Sequence, residues 1–106
     1  MRLDRFTIKA QEALEEAQRL AQQRSHQQVD SVHLLHALLG QREAVASSIL
    51  QKLGVPADAL AADLERSLQK FPQVSGPDAS RLYLSDDLSK VLVQAEQETQ
   101  HLADQY

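Results

Sequence analysis

Histidines are the side chains of this 106-residue chain that invite metal or acid–base chemistry. His33 and His36 lie three positions apart, a spacing at which one helix face could present both imidazoles to a metal ion. No Glu or Cys with supporting spacing joins them, so we expect one packed and one exposed histidine and no metal site. His26 and His101 are isolated among polar residues, and we expect both at turns or on the surface.

The sequence carries no motif for nucleophilic catalysis or phosphate binding. The pattern Gly-x-Ser-x-Gly does not occur, and the three glycines, Gly40, Gly54 and Gly76, form no phosphate-binding loop. The chain has no cysteine, which removes both a thiol nucleophile and a disulfide framework. We therefore predict no catalytic residue, no cofactor and no enzyme activity.

Composition indicates one ordinary globular domain, with 42% hydrophobic and 25% charged residues. A formal net charge of −4 argues against a nucleic-acid partner. No apolar run approaches the ~18 residues of a membrane span, and the opening residues lack the apolar region of a signal peptide. The absence of cysteine favours a reducing compartment, so we expect a cytoplasmic protein without a membrane partner.

Apolar residues recur at helical spacing in five stretches, which predicts an all-α fold. In order, the predicted helices run from an N-cap at Thr7 to about Arg24, from Val32 to Leu39, over residues 45–53, from Pro56 to before Phe71, and onwards from a cap at Ser85. Gly40, which tolerates a left-handed conformation, is expected to end the second helix, and Gly54 is expected to end the third. Glu12, Glu15 and Glu16 are interpreted as a solvated helix face. No period-two alternation appears, so no strand is predicted.

The opening of the first helix recurs in the fifth. Phe6-Thr7 is followed by Ala10, Ala13-Leu14 and Ala17, and Leu84-Ser85 is followed by Leu88, Val91-Leu92 and Ala95 at the same relative positions. The offset is 78 residues, the separation of Thr7 and Ser85. A repeat of this kind indicates one supersecondary unit that stacks on its copy, and the chain is expected to end inside the second copy.

Several segments carry a resemblance to a known family. They are the start Met-Arg-Leu-Asp-Arg-Phe-Thr at residues 1–7, the run His-Leu-Leu-x-Ala-Leu-Leu at 33–39, Gly54-Val55, and Phe-Pro-Gln-Val-Ser-Gly at 71–76. With the repeat, they resemble the double Clp N-terminal repeat of the ClpB family of AAA+ protein disaggregases, whereas ClpC and ClpA repeats usually open differently. The resemblance implies a first four-helix repeat at residues 1–70, a linker at 71–84, and the opening helix of an incomplete second repeat at 85–106.

The same resemblance implies a function in substrate capture. Such a module would be non-catalytic, would weakly bind exposed apolar segments of unfolded or aggregated polypeptide, and would serve the ATPase ring of its parent protein. The client-binding residues that it implies are Thr7 and Asp104, expected close together on the surface. Tyr106, Leu92 and Ala95 could line the same groove, although Leu92 and Ala95 could equally be core residues. Apolar residues of the fifth helix need a partner, so we expect their surface to be covered by the first helix, by self-association through the incomplete second repeat, or by a neighbouring chain.

Two other functions fit the same sequence. The domain could dock a folded adaptor or regulator, as ClpC- and ClpA-type repeats allow, or it could be a structural spacer that binds nothing. Preference for denatured over folded protein separates client capture from adaptor docking, and the absence of any binding would identify a spacer.

Overall fold

The computed structural model describes residues 6–41, 45–76 and 81–105, and of the last four residues only the backbone. Its helices are α1 (Ile8–Gln23), α2 (Ser31–Leu39), α3 (Val45–Lys52), α4 (Ala57–Gln69) and α5 (Asp86–Gln105). The predicted all-α class is confirmed. Within the described ranges, we find no helix whose length and apolar content would let it cross a membrane.

Among the helix starts that the structure describes, those of α1, α2 and α5 have side-chain caps. Thr7 Oγ1 accepts a hydrogen bond from the Ala10 amide at 3.1 Å and caps α1, as predicted. Ser85 Oγ accepts from the Leu88 amide at 3.0 Å and caps α5 in the same way. Asp30 caps α2, its Oδ2 accepting from the Val32 amide at 3.2 Å. Each cap satisfies an amide that the first helical turn would otherwise leave unpaired.

The core lies between α1, α2 and the first turns of α5. On α1 the buried face is mostly alanine, and such small side chains allow α1 and α2 to approach closely. Leu88 and Leu92 of α5 close the same cluster, whose buried members are Ala13, Leu14, Ala17, Ala21, Val29, Ala37, Leu88 and Leu92. α2 contacts all four other helices, so its apolar sequence reflects a central position.

Two short strands correct the sequence analysis, which predicted none. β1 (Gln28–Val29) and β2 (Tyr83–Leu84) pair in parallel. The Tyr83 amide donates to the Gln27 carbonyl and the Ser85 amide to the Val29 carbonyl, both at 2.9 Å. Two residues are too few to show a period-two pattern, so these strands could not be recognised from alternation. The pairing fastens the start of α5 to the segment between α1 and α2.

The two predicted glycine stops differ in backbone conformation. Gly54 has a φ of 75° and follows α3 in a left-handed conformation, with the Val55 amide donating to the Leu50 carbonyl at 2.9 Å. Gly40 ends α2 with a φ of −84°, so the left-handed conformation expected there is not used. The Gly40 amide instead donates ordinary turn hydrogen bonds to carbonyls in the last turn of α2.

Candidate functional site

An apolar surface surrounds the start of α1, where the sequence analysis placed Thr7 in a client-binding site. A cavity of about 390 Å³ opens there between α1, α2 and α3. Its apolar lining comes from Ala10, Leu38, Val45 and Ala46. Gln41 crosses one side of it, its side-chain amide donating to the Lys9 carbonyl at 2.8 Å. The Thr7 hydroxyl lies at its rim and remains engaged as the α1 cap.

α3 adds a row of exposed apolar side chains beside this cavity. Val45 and Ile49 of α3 keep 72% and 52% of their surface exposed, and Leu53, directly after α3, keeps 70%. The Leu53 amide donates to the Ile49 carbonyl, so the spacing of four residues places all three along one side. We call these three residues the α3 ridge. None of the residues of α3 is buried, although Ala46 and Leu50 are half-buried on its inner side. The cavity and the ridge together form the candidate client-binding surface.

The other predicted client-binding residues lie on α5 or beyond it. Leu92 is only 4% exposed and belongs to the core, so a client could not reach its side chain without a rearrangement of α5. Ala95 is half-buried. Asp104 falls within the backbone of α5, but its side chain and the whole of Tyr106 lie outside what the structure describes.

A second groove, of about 460 Å³, runs between α1 and α2 and is edged by Glu12, Glu16 and His36. Both carboxylates are on the exposed face of α1, as predicted for a solvated helix face. Glu16 forms an ion pair with Arg19 of the next turn. Among the described residues, no group of three or more metal-ligating side chains converges.

His26 lies in the turn after α1, one of the two places expected for it, but it is not on the surface. His26 is 2% exposed and His33 is fully buried, and His26 Nδ1 lies 2.9 Å from His33 Nε2. The Phe71 ring packs against both imidazoles, with ring centroids 5.2 Å from His26 and 5.0 Å from His33. His33 is the packed histidine that the sequence predicted, whereas His36 is half-buried instead of exposed.

Burial sets the protonation state of this imidazole pair. It lowers the pKa of His33 to about 4, with the neighbouring His26 and Arg24 acting in the same direction and Asp30 opposing them. Burial also lowers the pKa of His26, and the Arg24 guanidinium adds to that effect. Both rings are therefore neutral at pH 7. His33 Nδ1 accepts the Asp30 backbone amide at 2.9 Å, so this ring completes the capping of α2.

An Asp at the N-cap followed by a polar side chain at the third helical position is the arrangement of a capping box. That local signal, Asp30 followed by His33, could have identified His33 as a capping side chain from the sequence. No equally local signal exists for His26, because its partners are His33 and Phe71.

The described geometry defines the chain as an all-α domain with a central apolar helix and an exposed apolar surface at one end. The Clp repeat N-terminal domain profile matches residues 5–106, and the chain belongs to this family. It is 42% identical over 108 residues to the chaperone protein ClpB of Bacillus anthracis, and 41% identical over 108 residues to that of Nitratidesulfovibrio vulgaris. The ClpB of Bacteroides thetaiotaomicron is 35% identical over 106 residues. Each match covers the whole of this chain but 12% of the relative.

Proposed function

We propose that this domain is the non-catalytic substrate-engaging module of a ClpB-type chaperone and weakly binds exposed apolar segments of unfolded or aggregated polypeptide. In this role it would hold a client near the ATPase ring of the parent protein. Support comes from the family membership and from the relatives, which are chaperone proteins by name. The single observation that carries the proposal is the α3 ridge beside the cavity at the start of α1.

The size of this surface fits weak binding. Full burial of a Val, Leu or Ile side chain gains about 1.5–3 kcal/mol, and the three ridge residues retain half to three-quarters of their exposure. Covering all three therefore supplies roughly 3–6 kcal/mol, whereas association costs about 4–15 kcal/mol in lost freedom. Strong binding would need several such contacts, as an extended unfolded chain or a ring of domains provides. Apolar contacts also demand little of the client sequence, which suits a general chaperone.

A binding titration with a permanently unfolded probe tests this proposal. Reduced, carboxymethylated lactalbumin should bind the domain, and native lactalbumin should not. In the variant Val45→Ser/Ile49→Ser, affinity for the unfolded probe should fall at least tenfold, since these two side chains supply roughly 2–4 of the 3–6 kcal/mol.

Val93→Ser is a matched control for this titration. Val93 is 48% exposed on α5, close to the 52% of Ile49, but it borders a different cavity. The control should bind like the parent. Unchanged binding by the α3 double variant would refute the ridge as the site. Equal binding of native and unfolded probes would favour the adaptor-docking role, and no binding of either would favour a spacer.

We also propose the domain organisation that the sequence repeat suggests, with a first repeat at residues 1–70, a linker at 71–84 and the opening helix of a second repeat at 85–106. The matching caps of α1 and α5 support it, because Thr7 and Ser85 each accept from the amide three residues ahead. Val91 occupies the position that corresponds to buried Ala13 on α1, yet it is 45% exposed. If a further surface covered Val91, α5 would be buried at the same position at which α1 buries Ala13.

A further inference from the structure

The buried imidazole pair lies where three segments of the chain meet. His26 follows the end of α1, His33 is in the first turn of α2, and the Phe71 ring that packs on both follows α4. Ser25, just before His26, has a φ of 61°, a left-handed conformation that a serine seldom adopts. The turn is held on both sides, because the His26 amide donates to the Ala21 carbonyl at 2.8 Å and the Val74 amide donates to the Ser25 carbonyl at 2.7 Å.

The hydrogen bonds fix the tautomers of both rings. The Asp30 amide can only donate, so His33 Nδ1 must accept and carry no proton. Neutral His33 therefore carries its proton on Nε2 and donates it to His26 Nδ1, which leaves the proton of neutral His26 on Nε2. A proton added to His33 Nδ1 would face the Asp30 amide, and one added to His26 Nδ1 would face the His33 N–H. Either addition sets two donors against each other and breaks a bond of the junction.

Segment 26–30, which carries this pair, is also the attachment point of α5. β1 pairs with β2 immediately before α5, and Ser85 Oγ donates to Asp30 Oδ1 at 2.6 Å. Asp30 thus joins the cap of α2 to the cap of α5, while its own amide is held by His33. Losing the His33 bond would loosen Asp30, and with it the attachment of α5.

The charged groups around the pair have opposite effects on its protonation. Arg24, at the end of α1, disfavours a proton on either ring, and Glu65 of α4 holds this guanidinium, with Arg24 Nη2 2.8 Å from Glu65 Oε2. The Asp30 carboxylate, at the start of α2, favours a proton on His33. Phe71 and Ser85, which face the junction from the linker and from α5, are neutral. Burial and Arg24 outweigh Asp30, since the pKa of His33 is lowered to about 4.

We propose that the His26–His33 pair is an acid-sensitive latch, which in its neutral form fastens segment 26–30 to α2 and releases the β2–α5 segment when it is protonated. The latch lies outside the proposed client-binding surface and does not depend on it. A histidine whose pKa is lowered in the closed form binds fewer protons there than in the open form, so the closed form loses stability as the pH falls. With values of about 4 when closed and 6.5 when open, protonation of His33 alone multiplies the opening equilibrium about 30-fold between pH 8 and pH 5.

Amide hydrogen exchange on the 106-residue chain tests the latch. Between pH 7.5 and pH 5, protection factors of the Tyr83 and Ser85 amides should fall more than tenfold, while those of central α1 amides should change less than threefold. Ordinary carboxyl groups titrate mostly below this range, so the change can be assigned to histidine. Unchanged protection at Tyr83 and Ser85 would overturn the proposal, and so would an equal loss across α1, which would mean general unfolding.

A pair of histidine variants supplies the matched comparison. In His33→Gln the side-chain amide oxygen can still accept the Asp30 amide but does not titrate, so the pH effect on the Tyr83 amide should shrink about tenfold. His36→Gln removes a half-buried histidine outside the latch and should keep the parental pH effect. A pH effect that survives in full in His33→Gln, or disappears in His36→Gln, would refute the latch.

Direct nitrogen NMR of the parent imidazoles keeps the test independent of whether a variant folds. We expect both rings as the Nε2–H tautomer at pH 7.5, with His33 titrating well below pH 6. An Nδ1–H tautomer on either ring, or a His33 titration near the ordinary value of 6.5, would contradict the mechanism.

Discussion

Replacing the two hydroxyl caps, Thr7 and Ser85, by alanine separates two contributions to stability. One is the energy of a helix cap, and the other is the energy of the hydrogen bond between Ser85 and Asp30, which joins α5 to α2. Thr7 and Ser85 accept the same kind of hydrogen bond, at 3.1 Å and 3.0 Å, from the amide three residues ahead. They differ in surroundings, because Thr7 is exposed, whereas Ser85 is buried and also donates to Asp30 Oδ1 at 2.6 Å. Ser85→Ala therefore removes a cap and the only hydroxyl donor to that oxygen among the described bonds.

The structure gives the expected difference in magnitude. Loss of a cap costs about 0.5–2 kcal/mol, and the exposed position of Thr7 places Thr7→Ala near 0.5–1 kcal/mol. A hydrogen bond to a charged group contributes about 1.5–3 kcal/mol, reduced here because Asp30 is only half-buried. Ser85→Ala should thus lower the free energy of unfolding by about 2–3 kcal/mol, which is about 1–2 kcal/mol more than Thr7→Ala.

Urea denaturation followed by helical circular dichroism measures both values under the same conditions. Equal slopes against urea concentration would establish that the two variants unfold from comparably compact states. If Ser85→Ala costs no more than Thr7→Ala, the bond between Ser85 and Asp30 adds nothing to stability, and our account of how α5 is attached is wrong.

Three further outcomes follow from burial and from the proposed site. Leu88→Ala should destabilise the fold by about 2–5 kcal/mol in the same urea assay, whereas Leu53→Ala, which truncates a 70% exposed side chain, should stay within about 0.5 kcal/mol of the parent. If Asp104 also contributes to client capture, as the family resemblance implies, Asp104→Ala should weaken binding of the unfolded probe without altering the melting temperature, whereas Thr7→Ala should weaken both; parental binding by Asp104→Ala would exclude a role of Asp104 in client capture. If the exposed apolar surface of α5 mediates self-association, sedimentation velocity should show concentration-dependent dimers that Val91→Glu abolishes, and a parent that stays monomeric at millimolar concentration would exclude this contact.

Features determined by neighbours along the chain could be predicted from the sequence. The helices and the caps at Thr7 and Ser85 are of this kind, because apolar spacing and a single hydroxyl suffice to specify them. β1 and β2 could not be predicted, since each has only two residues and depends on a distant partner.

In the candidate site, too, local features could be predicted from the sequence and features that depend on distant packing could not. Thr7 could be placed at the start of α1 from its local pattern, but the outward direction of the α3 ridge depends on how α3 rests against the rest of the fold. The burial of His26 could not be predicted for a related reason. A histidine in a polar turn has the same local sequence whether it is solvated or covered, and here the covering ring comes from Phe71, beyond α4.

The bonds that hold α5 in place also influence the order in which the domain folds. Asp30 and Ser85 are 55 residues apart, and closing a loop of this length costs roughly 3–4 kcal/mol of chain entropy before any contact offsets it. The α1–α2 hairpin needs a far shorter closure, because only residues 24–30 separate its helices. Local contacts of low sequence separation form fastest, so α1 and α2 are suited to nucleate folding and α5 to dock on them late. A nascent chain would accordingly complete its central helix pair well before the residues that close the core over it have been synthesised.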